Sequence, residues 1–146
     1  MADFRKLQVW QYAHTLALDV YKTASGIRGS QHLALRSQLI RASASIPANI
    51  VEGRAKTSDR DFARFLGYAL GSASELEYHL IMARDIGVVP SGNANGLISQ
   101  VQKVRKMLHG LRSKLIRSNT QSVDPPSPPS NNDRDATFSP KPPAPC

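Results

Sequence analysis

The sequence is poor in cysteine and in long apolar runs. With one cysteine, Cys146, no intrachain disulfide can form. No apolar run reaches the length of a membrane-spanning helix, so we expect no membrane partner. The N-terminal residues lead into an amphipathic pattern instead of the apolar core of a signal peptide. A reducing, cytoplasmic environment is therefore the expected location.

Few side chains are suited to catalysis or metal binding. Four histidines and one cysteine exclude most nucleophile–base pairs, and neither a Gly-x-Ser-x-Gly turn nor a Gly-rich phosphate loop is present. A di-iron bundle needs Glu-x-x-His pairs on two helices, but Glu75 and His79 are four residues apart. We therefore expect no enzyme activity, no cofactor and no metal.

Residues 118–146 differ in composition from the rest of the chain. They contain eight of the ten prolines and almost no large apolar side chains, so they cannot bury enough surface to offset the entropy of ordering. We predict one domain over residues 1–117 and a disordered, Pro- and Ser-rich tail over residues 118–146.

The net charge of +8 belongs to the domain, because the tail has three carboxylates against two cations. A basic domain favours a polyanion such as RNA or DNA as a partner. The same charge would also keep the protein soluble and its copies apart. Composition alone leaves both interpretations open.

Four apolar seams of helical period run through the domain. The first segment extends from about Asp3 to Ala24, the second from about Gln31 to Glu52, the third from a cap at Ser58 to Gly87, and the fourth from about Asn93 to Arg117. The first segment carries two adjoining stripes, one with Leu7, Trp10, His14, Ala17, Tyr21 and Ala24, the other with Val9, Ala13, Leu16 and Val20. Short links force neighbouring helices to run antiparallel, so we predict an all-α, antiparallel up-down four-helix bundle.

The second segment combines a proline with a polar stripe. Pro47 lacks a backbone donor and should kink or break the helix, while Asn49 falls on the seam beside Ile46 and must find partners there. Gly53 is a plausible helix stop. The polar stripe consists of Gln38, Arg41, Ser45, Asn49 and Glu52. It suits either a binding cleft or a buried polar network that fixes helix or subunit packing, and we prefer the network.

The run Ser45–Gly53, Ser-Ile-Pro-Ala-Asn-Ile-Val-Glu-Gly, resembles the signature of the 23S ribosomal RNA intervening-sequence proteins. The resemblance extends to Leu7–His14, Gln38–Ala42 and Phe65–Glu77, whereas the link Gly26–His32 and the Pro-rich tail depart from the family pattern. It implies a four-helix bundle that assembles into a ring-like homo-oligomer, a pentamer. It also implies a relation to accessory proteins of diversity-generating retroelements, which bind nucleic acid and a reverse transcriptase. We assign Trp10 and His14 to an interface.

Basic residues dominate the fourth segment, which has no carboxylate between Ser91 and Ser118. Lys103, Lys106 and Arg117 lie opposite its Leu/Val seam and should face solvent. The candidate phosphate-binding residues of this helix are Lys103, Arg105, Lys106, Arg112, Lys114 and Arg117. A second candidate patch consists of Arg54, Lys56, Arg60 and Arg64, diluted by Asp59 and Asp61. The alternative is a solvated face whose cations suit a helix C-terminus.

These patterns favour a non-enzymatic, homo-oligomeric bundle that binds the backbone of RNA or DNA through basic surfaces. Such a protein would act as an accessory to a nucleoprotein complex. The alternative is a protein-interaction scaffold that displays its Pro-rich tails to a protein partner. A salt titration of nucleic-acid binding separates the two hypotheses, because only binding through phosphate contacts weakens steeply as salt rises.

Overall fold

The computed structural model describes residues 3–121, and these residues form four long helices. α1 spans Gln8–Ser25, α2 Leu33–Arg54, α3 Asp59–Asp85 and α4 Ser91–Gln121, with short 3-10 turns at Phe4–Lys6 and Ser30–His32. Each helix packs against the next, and α4 closes on α1, so that α1 and α3 occupy opposite corners. The prediction of an antiparallel up-down four-helix bundle is confirmed over these residues.

Hydrogen bonds at both ends of the bundle tie α3 to α4. At one end Ser118 Oγ donates to Asp59 Oδ2 over 3.0 Å. At the other, Arg84 Nη1 donates to Asn95 Oδ1 over 3.0 Å. Since successive helices alternate in direction, the starts of α1 and α3 meet the ends of α2 and α4 at the Asp59 end of the bundle.

All four helices contribute to one apolar core. On α1 the buried residues are Val9, Ala13, Leu16, Val20 and Ala24. The two adjoining stripes were predicted to form one wide apolar face, and this is wrong for His14 and Tyr21, which are exposed. A fully buried Leu such as Leu16 contributes about 1.5–3 kcal/mol, and only the stripe from Val9 to Val20 is buried along its whole length.

The ends of α3 follow the sequence signals closely. Ser58 Oγ accepts a hydrogen bond from the backbone N–H of Asp61 over 3.1 Å, which confirms the predicted N-cap. Gly87 has φ +81°, and the bonds from Gly87 N to Arg84 O and from Val88 N to Ala83 O, both 3.1 Å, close a Schellman motif. Glycine is required at this turn because other residues rarely adopt that φ.

Helix α4 is longer than predicted. It continues past Arg117 to Gln121, and Ser118, the first residue of the predicted tail, bonds back to Asp59 on α3. The remainder of the predicted disordered tail, residues 122–146, lies outside the described residues.

Helix α2 continues unbroken through Pro47, so of the two predicted outcomes, a kink or a break, the break is wrong. Pro47 and its neighbours Ile46 and Ile50 are buried, and this packing outweighs the cost of about 3 kcal/mol for proline in a helix interior. Asn49 is half-buried and not on the core seam. Its Nδ2 donates to Ser45 O over 2.8 Å, and Ser45 Oγ lies 2.8 Å from Ser72 Oγ on α3. This network fastens α2 to α3 within one chain.

Gly53 allows α2 and α3 to approach each other and does not stop α2, which continues to Arg54. An added Cβ would lie 2.8 Å from Cδ2 of Phe62 and 2.9 Å from Cβ of Phe65. Both distances are too short for real carbon contacts, so any larger side chain would push α3 away from the end of α2.

Candidate nucleic-acid interface

The up-down topology gathers cations from several elements at the Asp59 end of the bundle. We call this set of residues the basic end: Arg5, Lys6, Arg54, Lys56, Arg60, Arg64, Arg112, Lys114 and Arg117. The acidic residues at this end are Asp3, Glu52, Asp59 and Asp61. Arg5 and Lys6 were missed in the sequence analysis, although antiparallel packing of α1 and α2 would have placed them beside Arg54.

Most cations of the basic end are exposed, and the exceptions are Arg54 and Arg112. The guanidinium of Arg54 lies 5.8 Å from the centroid of the Phe62 ring. Its Nε is buried and has no hydrogen-bond partner among the described residues. Arg54 thus rests on the core at the end of α2, with one donor left unsatisfied.

An aromatic pair supports two more of these cations. Lys56 Nζ lies 5.0 Å and Arg64 Cζ 5.4 Å from the centroid of the Phe65 ring. Tyr68 packs edge-on against the same ring, at 5.4 Å and 83°. Cation–π contacts at exposed sites contribute about 0.5–1 kcal/mol each, enough to bias side-chain orientation. We missed this cluster in the sequence, although the spacing of Arg64, Phe65 and Tyr68 places them on one side of a helix.

Arg112 brings the two predicted basic patches together. Its Nε donates to Ala63 O over 3.2 Å, and it crosses α3 at Gly67, where an added Cβ would lie 3.6 Å from Arg112 Nε. An open groove of about 840 Å³ results between α3 and α4, which we call the Arg60–Arg112 groove. Its lining includes Ser58, Arg60, Asp61, Arg64, Tyr68 and Arg112.

Arg105 is tied to α3 and is not free to bind a ligand. It forms a half-buried ion pair with Glu77, and Gln102 Nε2 donates to Glu77 Oε1 over 3.2 Å. The hydrogen bond from Arg105 holds the pKa of Glu77 below its usual value, against the opposing effect of burial. Arg105 therefore joins α3 to α4, and we leave it out of the interface.

The remaining basic candidates on α4 lie closer to its middle. Lys103 Nζ is 4.3 Å from the centroid of the Tyr12 ring on α1 and lines a groove of about 380 Å³ between α1 and α4. Lys106 is exposed. These two lysines extend the positive surface along α4 but do not line the Arg60–Arg112 groove.

The structure divides the polar stripe of α2 into two groups. Ser45 and Asn49 are half-buried and belong to the network that reaches Ser72. The other three members, Gln38, Arg41 and Glu52, are exposed. The stripe thus combines a helix-to-helix contact with an ordinary solvated face.

Two apolar stripes are left uncovered by residues 3–121. On α1 the rings of Trp10 and His14 stack at 4.9 Å and 7°, and Leu18 and Tyr21 continue this stripe with 48% and 58% exposure. On α3, at the opposite corner, the stripe consists of the exposed Tyr78 and Met82 and continues to Ile86, just after the helix. Each stripe presents large apolar side chains to solvent on the outside of the bundle.

Within residues 3–121, no group of three or more His, Cys, Asp or Glu side chains is arranged to hold a metal ion. In the same part of the chain, every helix is too short or too polar to cross a membrane.

Comparison with known proteins agrees with this architecture. A family model described as 23S rRNA-intervening sequence protein matches residues 5–110. A solved structure from Bacteroides thetaiotaomicron, of a protein of unknown function from the S23 ribosomal protein family, is similar with a TM-score of 0.67 and 23% identity. The similarity covers 71% of this chain and 97% of that one, and at this identity it shows the fold alone. A search of curated proteins finds no significant match. Because the family match includes α1 to α3 and most of α4, the chain belongs to the 23S rRNA-intervening sequence protein family.

Proposed function

We propose that this protein is a non-enzymatic, self-associating helical bundle that binds the phosphate backbone of RNA or DNA with its basic end. The observation that carries the proposal is the collection of exposed cations from the N-terminal turn, the α2–α3 link, the start of α3 and the end of α4. Cations that neutralise phosphates release condensed counterions, and this release drives binding without regard to sequence.

Self-association is supported by the two uncovered apolar stripes. They lie on α1 and α3, at opposite corners of the bundle. When the α1 stripe of one copy packs against the α3 stripe of the next, the contact is head-to-tail, and a contact of this kind closes into a ring if the rotation permits. Since α1 and α3 run in the same direction, a side-by-side ring presents all basic ends on one face and multiplies the phosphate contacts.

The test is a salt titration of nucleic-acid binding with the solution mass recorded on the same sample. We expect a labelled RNA of about 20 nucleotides to bind an oligomer. A surface that contacts 6–10 phosphates loses about 10³–10⁵ in affinity between about 50 and 200 mM salt. The variant Leu18→Glu, within the α1 stripe, should lower the solution mass.

Two results would contradict the proposal. If the protein is a monomer and binds RNA equally well at low and high salt, it neither forms a ring nor binds through phosphate contacts. If neither RNA nor DNA binds at low salt, the proposal fails, and a scaffold that offers residues 122–146 to a protein partner becomes the better explanation of the chain.

A further inference from the structure

Tyr68 is the one aromatic side chain that lines the Arg60–Arg112 groove. It is 52% exposed, and its ring makes a T-shaped contact with the ring of Phe65. A single exposed tyrosine is ordinary on a protein surface. Tyr68 is of interest as a binding residue because arginines line the same groove.

Three arginines line the groove, and they differ in what they already bind. Arg64 is 3.5 Å from Asp61. Arg60 is exposed and takes part in no ion pair within residues 3–121. Arg112 donates a hydrogen bond from Nε to Ala63 O. This bond orients the side chain and leaves its two terminal nitrogens for a ligand. Guanidinium groups bind phosphate oxygens with two parallel hydrogen bonds.

Asp61 is the one carboxylate that lines the groove, and it is paired with Arg64. Asp59, at the first position of α3, accepts from Ser118 Oγ over 3.0 Å at the end of α4. Neither carboxylate pairs with Arg60 or Arg112. The groove therefore keeps a net positive charge next to an exposed aromatic ring.

We propose that the Arg60–Arg112 groove binds one phosphate–base step of a single-stranded nucleic acid. Arg60 and Arg112 hold the phosphate, and an unpaired base stacks on Tyr68. The inference rests on the proposed function and adds a preference for single strands. In a duplex the base faces are already stacked on each other, whereas a single strand offers them to an aromatic ring.

The experiment compares single-stranded and double-stranded probes on the full-length protein. The probes are a labelled oligo-dT of about 12 nucleotides and a blunt DNA duplex of the same length, a size suited to single-strand sites. Tyr68→Leu removes the ring and keeps apolar bulk, while Tyr68→Phe keeps the ring. Arg60→Gln removes one groove cation, and Arg28→Gln, in the α1–α2 link at the opposite end, is its charge-matched control. Circular dichroism and solution mass are recorded for every variant.

Tyr68→Leu should weaken oligo-dT binding about tenfold and leave duplex binding unchanged, whereas Tyr68→Phe should bind oligo-dT with the wild-type affinity. Arg60→Gln should lower the slope of log affinity against log salt by about 0.7 on oligo-dT, whereas Arg28→Gln should not change it. Because Arg60 is exposed, this second variant tests the groove even if Tyr68→Leu fails to fold.

Different results overturn the inference and the proposed function. If the wild type binds both probes equally and Tyr68→Leu changes neither, or lowers both alike, the groove does not select single strands, and the proposed function stands. If the wild type binds neither probe at low salt, the proposed function itself has failed.

Discussion

The two ends of the bundle differ in how many cations they gather, with nine at the basic end and Lys22, Arg28, Arg36 and Arg84 at the opposite end. At the end opposite to the basic end, Arg84 bonds to Asp85 Oδ1 and to Asn95 Oδ1, both over 3.0 Å. At the basic end, Lys114 and Arg117 are exposed and enter no ion pair within residues 3–121. A partnered arginine holds helices together, and an unpartnered cation on the surface is available to a ligand. The number of basic residues in a helix does not separate these two roles.

Charge reversal at the two ends tests this comparison with the largest expected effect. Lys114→Glu with Arg117→Glu should weaken RNA binding about 100-fold at low salt, because it removes two phosphate contacts and adds two repulsive charges. Lys22→Glu with Arg28→Glu makes the same change in net charge near the other end and should have a small effect. Anisotropy titrations at one salt concentration measure both. Equal losses in the two double variants would show that net charge alone matters.

Gly53→Ala tests the packing that supports the basic end. The added Cβ would meet Phe62 at 2.8 Å and Phe65 at 2.9 Å, so we expect the free energy of unfolding to fall by about 1–3 kcal/mol. The control is Gly71→Ala on α3, where nothing lies within 4 Å of the added atom.

At Gly71 alanine should raise the free energy of unfolding by about 0.5–1 kcal/mol, because alanine loses less entropy in a helix than glycine does. Chemical denaturation of the three proteins measures the difference. If both alanine variants are equally stable, α2 and α3 do not depend on the close contact at Gly53.

Glu77→Gln tests the ion pair that joins α3 and α4 between the two ends, and its effect should be the smallest. The pKa of Glu77 is lowered in the folded protein, chiefly by the hydrogen bond from Arg105. The carboxylate therefore stabilises the fold above its unfolded pKa of about 4.3, and this stabilisation is lost as pH falls through the lower, folded pKa.

We expect Glu77→Gln to lower the free energy of unfolding by about 1 kcal/mol at neutral pH, since the pair is only half-buried. The difference from the wild type should vanish in acid. Denaturation at a series of pH values measures it, and the salt dependence of RNA binding should be unchanged. A weaker salt dependence in this variant would mean that the ion pair also shapes the binding surface.

Much of the fold could be predicted because its signals are local. The Ser58 cap and the Gly87 stop act within one turn of α3, so the residues themselves specify them. The choice between the two stripes of α1 could not be made in this way, because both have helical period. The prediction at Pro47 was a kink or a break, and the break does not occur because the buried contacts of Ile46 and Ile50, which local propensity ignores, hold the helix together.

The candidate site was predictable in composition but not in arrangement. Arg105 and Lys106 are adjacent in the sequence, yet Arg105 faces Glu77 on α3 and Lys106 faces solvent. Tyr68 and Arg112 are far apart in the sequence and line the same groove. Nothing in the spacing of either helix indicates these contacts, since they depend on how α3 and α4 are rotated against each other.

The sequence by itself determined four amphipathic helices, their order, their main capping signals and the excess of positive charge in the domain. The tertiary structure decided which stripe of α1 is buried, which arginines are bonded to α3, and which cations gather at one end beside Tyr68. The physical reason is that a helical period fixes which residues share a face. The rotation of each helix about its axis is set only when all four helices pack together and the total burial and polar pairing are satisfied at once.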